Sequence, residues 1–250
     1  MDDINRVHAL FDNWASCICD IQKVFPQMTR IIHAATFGSV ARGSDDERSD
    51  LDVIAVVDTT VGIEKSLIEA EIQPLFNKKI GLSLYGKSRI SQLWLEGSPF
   101  AWHLFTESIP ILKYSNGLAL DFGSPSEYTS AESDVKMMVG IMESAGERIE
   151  LSPPKAHCYE AGLLYVAARN SAMYASKYFN GKFDFSRLAP FSIKTATFPL
   201  SPDEYSLLVA CRHATTRGYP LPHLDVIKTR SHSLKLLEWS RVLMQAMCKE

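Results

Sequence analysis

Thr36-Phe37-Gly38-Ser39-Val40-Ala41-Arg42-Gly43-Ser44-Asp45-Asp46-Glu47-Arg48-Ser49-Asp50-Leu51-Asp52-Val53-Ile54-Ala55-Val56-Val57 is the stretch whose reading decides the fold. A Gly-Ser pair follows apolar residues, a polar loop with a second glycine comes next, and two carboxylates one residue apart lead an apolar run. Gly38 has no Cβ, so backbone there can approach a ligand closely and take angles closed to other residues. If a helix starts at Ser39, the first N–H groups offer donors to a phosphate, with Ser39 as the cap. Side chains at i and i+2 of a strand share a face, so Asp50 and Asp52 point together while Leu51 and Val53 point into the core. Two carboxylates aimed at one spot repel unless a positive ion stands between them, and Mg²⁺ is typically held by one or two carboxylates plus substrate phosphates. The letters also fit a turn with solvated acids at a strand end, but the combination is far more specific than a lone glycine motif.

The pattern resembles the signature of the DNA polymerase β-like nucleotidyltransferase superfamily, a Gly-Ser pair followed after a loop by Asp-x-Asp. Its form is most like the small prokaryotic members, the minimal and the antibiotic nucleotidyltransferases. The tight likeness covers Thr36 to Val57, and a looser one in element order extends to about Tyr114. It implies transfer of a nucleoside monophosphate from an NTP, with ATP the expected one, to a hydroxyl of a small molecule or a protein, releasing pyrophosphate. On that resemblance Asp50 and Asp52 are the catalytic and metal-binding acids, holding Mg²⁺ (or Mn²⁺). Gly38, Ser39, Arg42 and Ser49 are the nucleotide-binding residues. Arg42 and Arg48 are candidates for triphosphate oxygens through the planar guanidinium fork.

The sequence departs from the family in one place. Relatives carry a third carboxylate on the strand beside the Asp-x-Asp strand, where it helps bind a second ion and can activate the acceptor. The corresponding strand, Lys79 to Tyr85, offers Gly81 and Ser83 on one face and Ile80, Leu82 and Leu84 on the other. Glu107 is the candidate substitute. Asp58 stands at the far end of its strand, about 20 Å away. A catalytically degenerate nucleotide-binding or protein-interaction module, such as one partner of a regulatory pair, therefore stays beside the enzyme as the alternative.

The whole chain sets bounds on both. It has 250 residues, 46% hydrophobic and 22% charged, with a formal net charge of −3. Such a composition suits a globular protein with a real core. It does not advertise nucleic-acid binding, and nucleic acid is not an expected partner. No apolar run approaches the length of a spanning helix, and Met1-Asp2-Asp3 lacks the order of a secretion signal, so the expectation is a cytoplasmic protein with no membrane partner. Cys17, Cys19, Cys158, Cys211 and Cys248 have no metal-ligand spacing and read as reduced thiols.

Taken in order, the chain reads as an α+β protein. Ile4 to Val24 has helical spacing and stops at Phe25-Pro26. Strands are expected at Ile31–Phe37, Asp52–Val57, Lys79–Tyr85 and Ile109–Tyr114. Helices are expected at Ile63–Phe76, Ile90–Leu95 and Phe100–Thr106. The result is a small mixed sheet with flanking helices, expected on one side. Gly, Ser, Pro, Asn and Asp concentrate over Asn116–Ser133, which sets the boundary between a nucleotidyltransferase domain at 1–122 and a helical bundle domain at 123–250. Four helices, Glu132–Leu151, Lys155–Phe179, a third from Ser201-Pro202 to Arg217, and Val226–Met247, imply an antiparallel bundle that would close a cleft and present the acceptor. The bundle also resembles HEPN-like domains, but Arg169-Asn170 is followed by Ala175 where their ribonucleases carry histidine. Tyr159, Tyr165 and Tyr174 read as core, with an acceptor pocket as the alternative.

Overall fold

The computed structural model describes residues 31–47, 49–58, 64–75, 77–112, 123–151 and 153–248. The expected helix at Ile4–Val24 and the candidate Arg48 lie outside these residues. Internal contacts divide the chain into two compact units, Met1–Tyr128 and Thr129–Glu250.

In the first unit the element order is β1 (Ile31–Phe37), α1 (Gly38–Ala41), β2 (Leu51–Val57), α2 (Lys65–Ile72), β3 (Ile80–Gly86), α3 (Lys87–Leu95), α4 (Pro99–Glu107) and β4 (Ile109–Leu112). A single 3₁₀ turn, Gln73–Leu75, follows α2. The described strands form a four-stranded mixed sheet in the order β3-β2-β1-β4. β1 runs antiparallel to β2 and β4, while β2 and β3 are parallel. A parallel pair needs a crossover, and α2 supplies it.

Helices cover both faces of this sheet, which differs from the expected one-sided arrangement. Leu51, Val53, Ala55 and Val57 pack on one side with Val40 of α1 and Ile68 of α2. Ile54 and Val56 pack on the other with Ile90 and Leu93 of α3 and Ala101 and Leu104 of α4. The physical reason stands in β2 itself. Its run is apolar at odd and even positions alike, and a strand buried on both faces needs cover on both. Helix α4 has a sharp start, with Pro99 in the first turn and the Ser98 side chain accepting from the Ala101 N–H.

In the second unit the elements are α5 (Ala131–Leu151), α6 (Pro154–Asn180), the short α7 (Ala189–Ser192), α8 (Pro202–Arg217) and α9 (Val226–Met247). Four long helices stand where helical spacing placed them. α6 packs against α5, α8 and α9 through small residues, with Ala161, Ala167, Ala168, Ala172 and Ala175 fully buried. Two glycines set the closest approaches: a Cβ on Gly162 would stand 3.0 Å from the backbone of Arg212, and one on Gly146 would stand 2.4 Å from Ser233 Oγ. Arg148 forks onto the buried Glu160 carboxylate at 2.8 and 2.9 Å, tying α5 to α6.

The loop before α8 sends Phe185, Ile193, Phe198 and Leu200 into the core. Phe198 sets its ring edge-on against Tyr205 and Trp239, 5.3 and 5.1 Å between centroids. Tyr165 lies against Tyr205, whereas Tyr159 is exposed. Arg169 donates to the Phe185 carbonyl. Burial pushes the Cys158 and Cys211 thiols up, which leaves both poor nucleophiles.

Helix α8 begins with a capping box: Ser201 Oγ accepts from the Glu204 N–H, and Glu204 Oε2 accepts from the Ser201 N–H. That backbone hydrogen bond, helped by the Ser201 hydroxyl and by His232, holds the Glu204 carboxyl below its usual value. A carboxyl depressed in the folded state stabilises above its unfolded value, and the contribution is lost as pH falls through the folded value. Ser201→Ala should cost about 1 kcal/mol in chemical denaturation at neutral pH. Glu204→Gln should also destabilise at neutral pH, and its gap from the parent should close as the solution is acidified below the carboxylate range. A gap independent of pH would disprove the charged cap.

Candidate nucleotide and metal site

The site forms where β1 ends beside the beginning of β2. Antiparallel register sets Phe37 opposite Asp52, and parallel register sets Gly81 of β3 on its other side. Asp52 is thus flanked by Phe37-Gly38 on one strand and Gly81 on the other. Thr36, fully buried, donates its hydroxyl to the Asp52 carbonyl at 2.9 Å and pins that register.

Two missing side chains make room for the Asp52 carboxylate. A Cβ on Gly38 would stand 2.6 Å from Asp52 Oδ2, and one on Gly81 would stand 3.3 Å from Oδ1. Gly38 also has φ +77, a left-handed angle that disfavours any residue with a Cβ. The glycine is therefore required twice, by its backbone angle and by the carboxylate beside it. Asp50, just ahead of β2, and Asp52 are half-buried, while Ser49, Leu51 and Val53 between and around them are buried. That alternation is the one expected for two acids on a common face.

After Gly38 the chain makes one tight turn. The Arg42 N–H donates to the Gly38 carbonyl at 3.1 Å, and the Ser44 N–H donates to the Ser39 carbonyl at 2.9 Å. The loop then closes on itself. Ser49 donates its hydroxyl to Asp46 Oδ1 at 2.9 Å and accepts from the Asp46 N–H at 3.0 Å. Lys78 Nζ anchors this loop to the start of β3, donating to the Asp46 carbonyl at 2.7 Å and pairing with Asp45 at 3.0 Å. Ser49 therefore braces the approach to Asp50.

Arg42 and Glu107 meet. Arg42 Nη1 pairs with Glu107 Oε2, and the same oxygen is bonded by His103 Nε2 at 2.8 Å, one turn back on α4. The His103 ring stands edge-on to Phe37 at 5.3 Å. His103 escaped the sequence reading, although its spacing of four from Glu107 on a helix was the available signal. In the sequence Gly81 stands out only as the lack of an acid, whereas in the structure it leaves room for one. Among the described residues, no group of three or more His, Cys, Asp or Glu stands close enough to hold one metal ion. Glu107 thus does not join Asp50 and Asp52 in such a group. The pair that remains fits a cation held by two carboxylates and completed by phosphate oxygens, the usual habit of Mg²⁺.

Elsewhere in the unit, His33 lines a cavity of about 240 Å³ with Ile54, Ile90, Trp94 and Leu104, and burial lowers its pKa. No helix of the described residues is long and apolar enough to cross a membrane.

Residues 18–99 match the family described as "Nucleotidyltransferase domain". The resemblance carried by Gly38-Ser39 and Asp50-x-Asp52 is therefore met, within a span that includes Arg42 and Gly81 and ends before His103 and Glu107. Among solved structures, a "putative nucleotidyltransferase from Sulfolobus solfataricus" is 13% identical, with a TM-score of 0.31, over 48% of this chain and 95% of that one. No curated protein matches the chain.

The two requirements on Gly38 can be separated by experiment. Gly43 also has a positive φ, +67, but a Cβ there meets nothing within 4 Å. Gly43→Ala should cost about 1 kcal/mol of backbone strain. Gly38→Ala should cost about 1–3 kcal/mol more, because the Asp52 carboxylate must move as well. Denaturation midpoints measure both. Equal losses would mean that Asp52 is not wedged against Gly38.

Proposed function

We propose that the protein is a Mg²⁺-dependent (or Mn²⁺-dependent) nucleotidyltransferase that moves a nucleoside monophosphate from an NTP, ATP first, to a hydroxyl of a small molecule or protein. The observation that carries this reading is the Asp52 carboxylate seated between Gly38 and Gly81, with the half-buried Asp50 two residues before it, inside a span that matches the nucleotidyltransferase domain. In the reaction the acceptor oxygen forms a bond to the α-phosphorus and the bond to the bridging oxygen breaks. Pyrophosphate leaves, and the hydroxyl proton passes to a base. Bound Mg²⁺ would offset charge on the phosphate oxygens as it grows in the transition state.

Each candidate residue of the site has a part in that scheme. Asp50 and Asp52 hold the cation and thereby the triphosphate. Gly38 lets backbone come close and clears the carboxylate. Ser39 offers its hydroxyl and N–H at the turn, and Arg42 offers guanidinium donors to phosphate oxygens. Ser49, bonded to Asp46, keeps Asp50 in place for the nucleotide rather than touching it.

A second reading rests on one observation. β3 presents Gly81 and Ser83 beside Asp52 and Ile54, and no third acid groups with Asp50 and Asp52 among the described residues. A nucleotide-binding module that has lost transfer would look the same. NTP labelled at the α-phosphate, incubated with Mg²⁺ and pooled acceptors, separates the two. Label on an acceptor supports the enzyme, whereas binding without transfer supports the module. Where transfer is seen, Asp52→Asn should lower it at least about 100-fold, since an acid that holds the cation contributes several kcal/mol to the transition state. An Asp52→Asn protein that kept the parental rate would refute the assignment.

A further inference from the structure

We infer that Glu107, backed by His103, is a positioning residue that fixes the Arg42 guanidinium beside the Gly38–Ser39 turn. The inference rests on the nucleotidyltransferase reading and gives Glu107 a part other than that of a third metal ligand.

The contacts make a closed circuit. Asp52 is paired across the sheet with Phe37. The Phe37 ring takes the edge of His103, His103 Nε2 bonds Glu107 Oε2, and that oxygen takes Arg42 Nη1. The Arg42 N–H returns to the Gly38 carbonyl, one residue from Phe37. Two of these links, Phe37–His103 and Arg42–Glu107, join the strand end and the glycine turn to α4, and the others close the circuit within the sheet, the helix and the turn.

Arg42 and Glu107 are 65 residues apart in sequence, and their side chains are only 23% and 15% exposed. An ion pair so shielded holds its geometry better than a solvated surface pair. A carboxylate already neutralised by a guanidinium must give up that partner before it can serve a cation.

What the pairing leaves over is also informative. One guanidinium carries five N–H donors, and Glu107 takes Nη1. Arg42 Nε is buried and has no hydrogen-bond partner among the described residues. A buried donor of a charged group without a partner is costly, a cost that the ion pair at Nη1 offsets. Phosphate oxygens accept from such a fork on the side of the guanidinium that stays open, since the side chain is 23% exposed. Held by Glu107, the guanidinium spends no rotamer freedom when the triphosphate arrives.

Two readouts on the full chain test this. The first needs no nucleotide: the ¹⁵N-edited signal of the Arg42 Nε–H, assigned by its loss in Arg42→Lys. It should be sharp and slow to exchange in the parent, and broadened or fast in Glu107→Gln. The second is calorimetry with Mg²⁺ and ATP. Glu107→Gln should weaken binding about tenfold, the size of one misplaced charge-assisted contact, and by less than about twofold once Arg42 is already Ala. Glu107→Asp should recover part of the loss. If Glu107→Gln fails to fold, His103→Gln reads the same Nε–H signal.

An unchanged Nε–H signal overturns the inference. So does an equal loss of affinity with and without Arg42, which would make Glu107 act on the cation by itself. A parent protein that binds no Mg²⁺–ATP defeats the nucleotide reading and the triphosphate role of Arg42, while the Nε–H signal still decides whether Glu107 holds the guanidinium.

Discussion

Everything in the first unit that bears on chemistry depends on the close approach of Gly38 to the Asp52 carboxylate. The strand pair β1–β2 brings them together, and Thr36 pins that pairing through the Asp52 carbonyl. Because side chains alternate along a strand, a slip of one residue would turn Asp52 into the face occupied by Ile68 and Val40, and Val53 out toward the site. Desolvating an ionised carboxylate there without a partner would be far more costly than any local gain. The apolar pattern of β2 and the location of the acids are thus one constraint seen twice. The core holds the register, and the register aims the acids.

The same constraint explains why the sheet carries helices on both faces. A strand with acids at its head and an unbroken apolar body can leave only its head uncovered. α2 and α1 close one face, and α3 and α4 close the other. α4 then does more than cover. Its first turn is fixed by Ser98 and Pro99, and its last turn delivers His103 and Glu107 beside Arg42. A packing element thereby becomes part of the electrostatics at the glycine turn.

Much of this was legible in the sequence, and the reasons differ from element to element. β1 and α9 stand as expected because strand alternation and helical spacing are local signals that need no partner to be read. Gly38, Asp50 and Asp52 were legible for a similar reason, since a short-range motif carries its own geometry. The two-sided cover of the sheet was not read, although the continuous apolar run of β2 contained it. The tie between Arg42 and Glu107 was beyond reach, because nothing in either neighbourhood announces a partner 65 residues away. Ser49 shows a subtler gap. Its residue type suits a phosphate as well as a turn, and only the loop geometry shows that Asp46 takes its hydroxyl.

The lack of an acid on β3 is better understood as a consequence of space than as a simple deletion. Gly81 stands in register with Asp52, and a Cβ there would already press on Oδ1 at 3.3 Å. A carboxylate at that position would add a like charge next to Asp52, a repulsion that only a bound cation could offset. With glycine there, no third carboxylate adds to the repulsion between Asp50 and Asp52. Among the described residues, Arg42 places a positive charge at the turn, and Glu107, beyond the span that matches the nucleotidyltransferase domain, balances it. On the proposed function, the two carboxylates and the guanidinium held by Glu107 would together grip a metal-bound triphosphate. On the proposed transfer, no acid of β3 can take the acceptor proton, so the base would have to come from the acceptor, from solvent or from elsewhere in the chain, and the acceptor becomes the component on which that chemistry would turn.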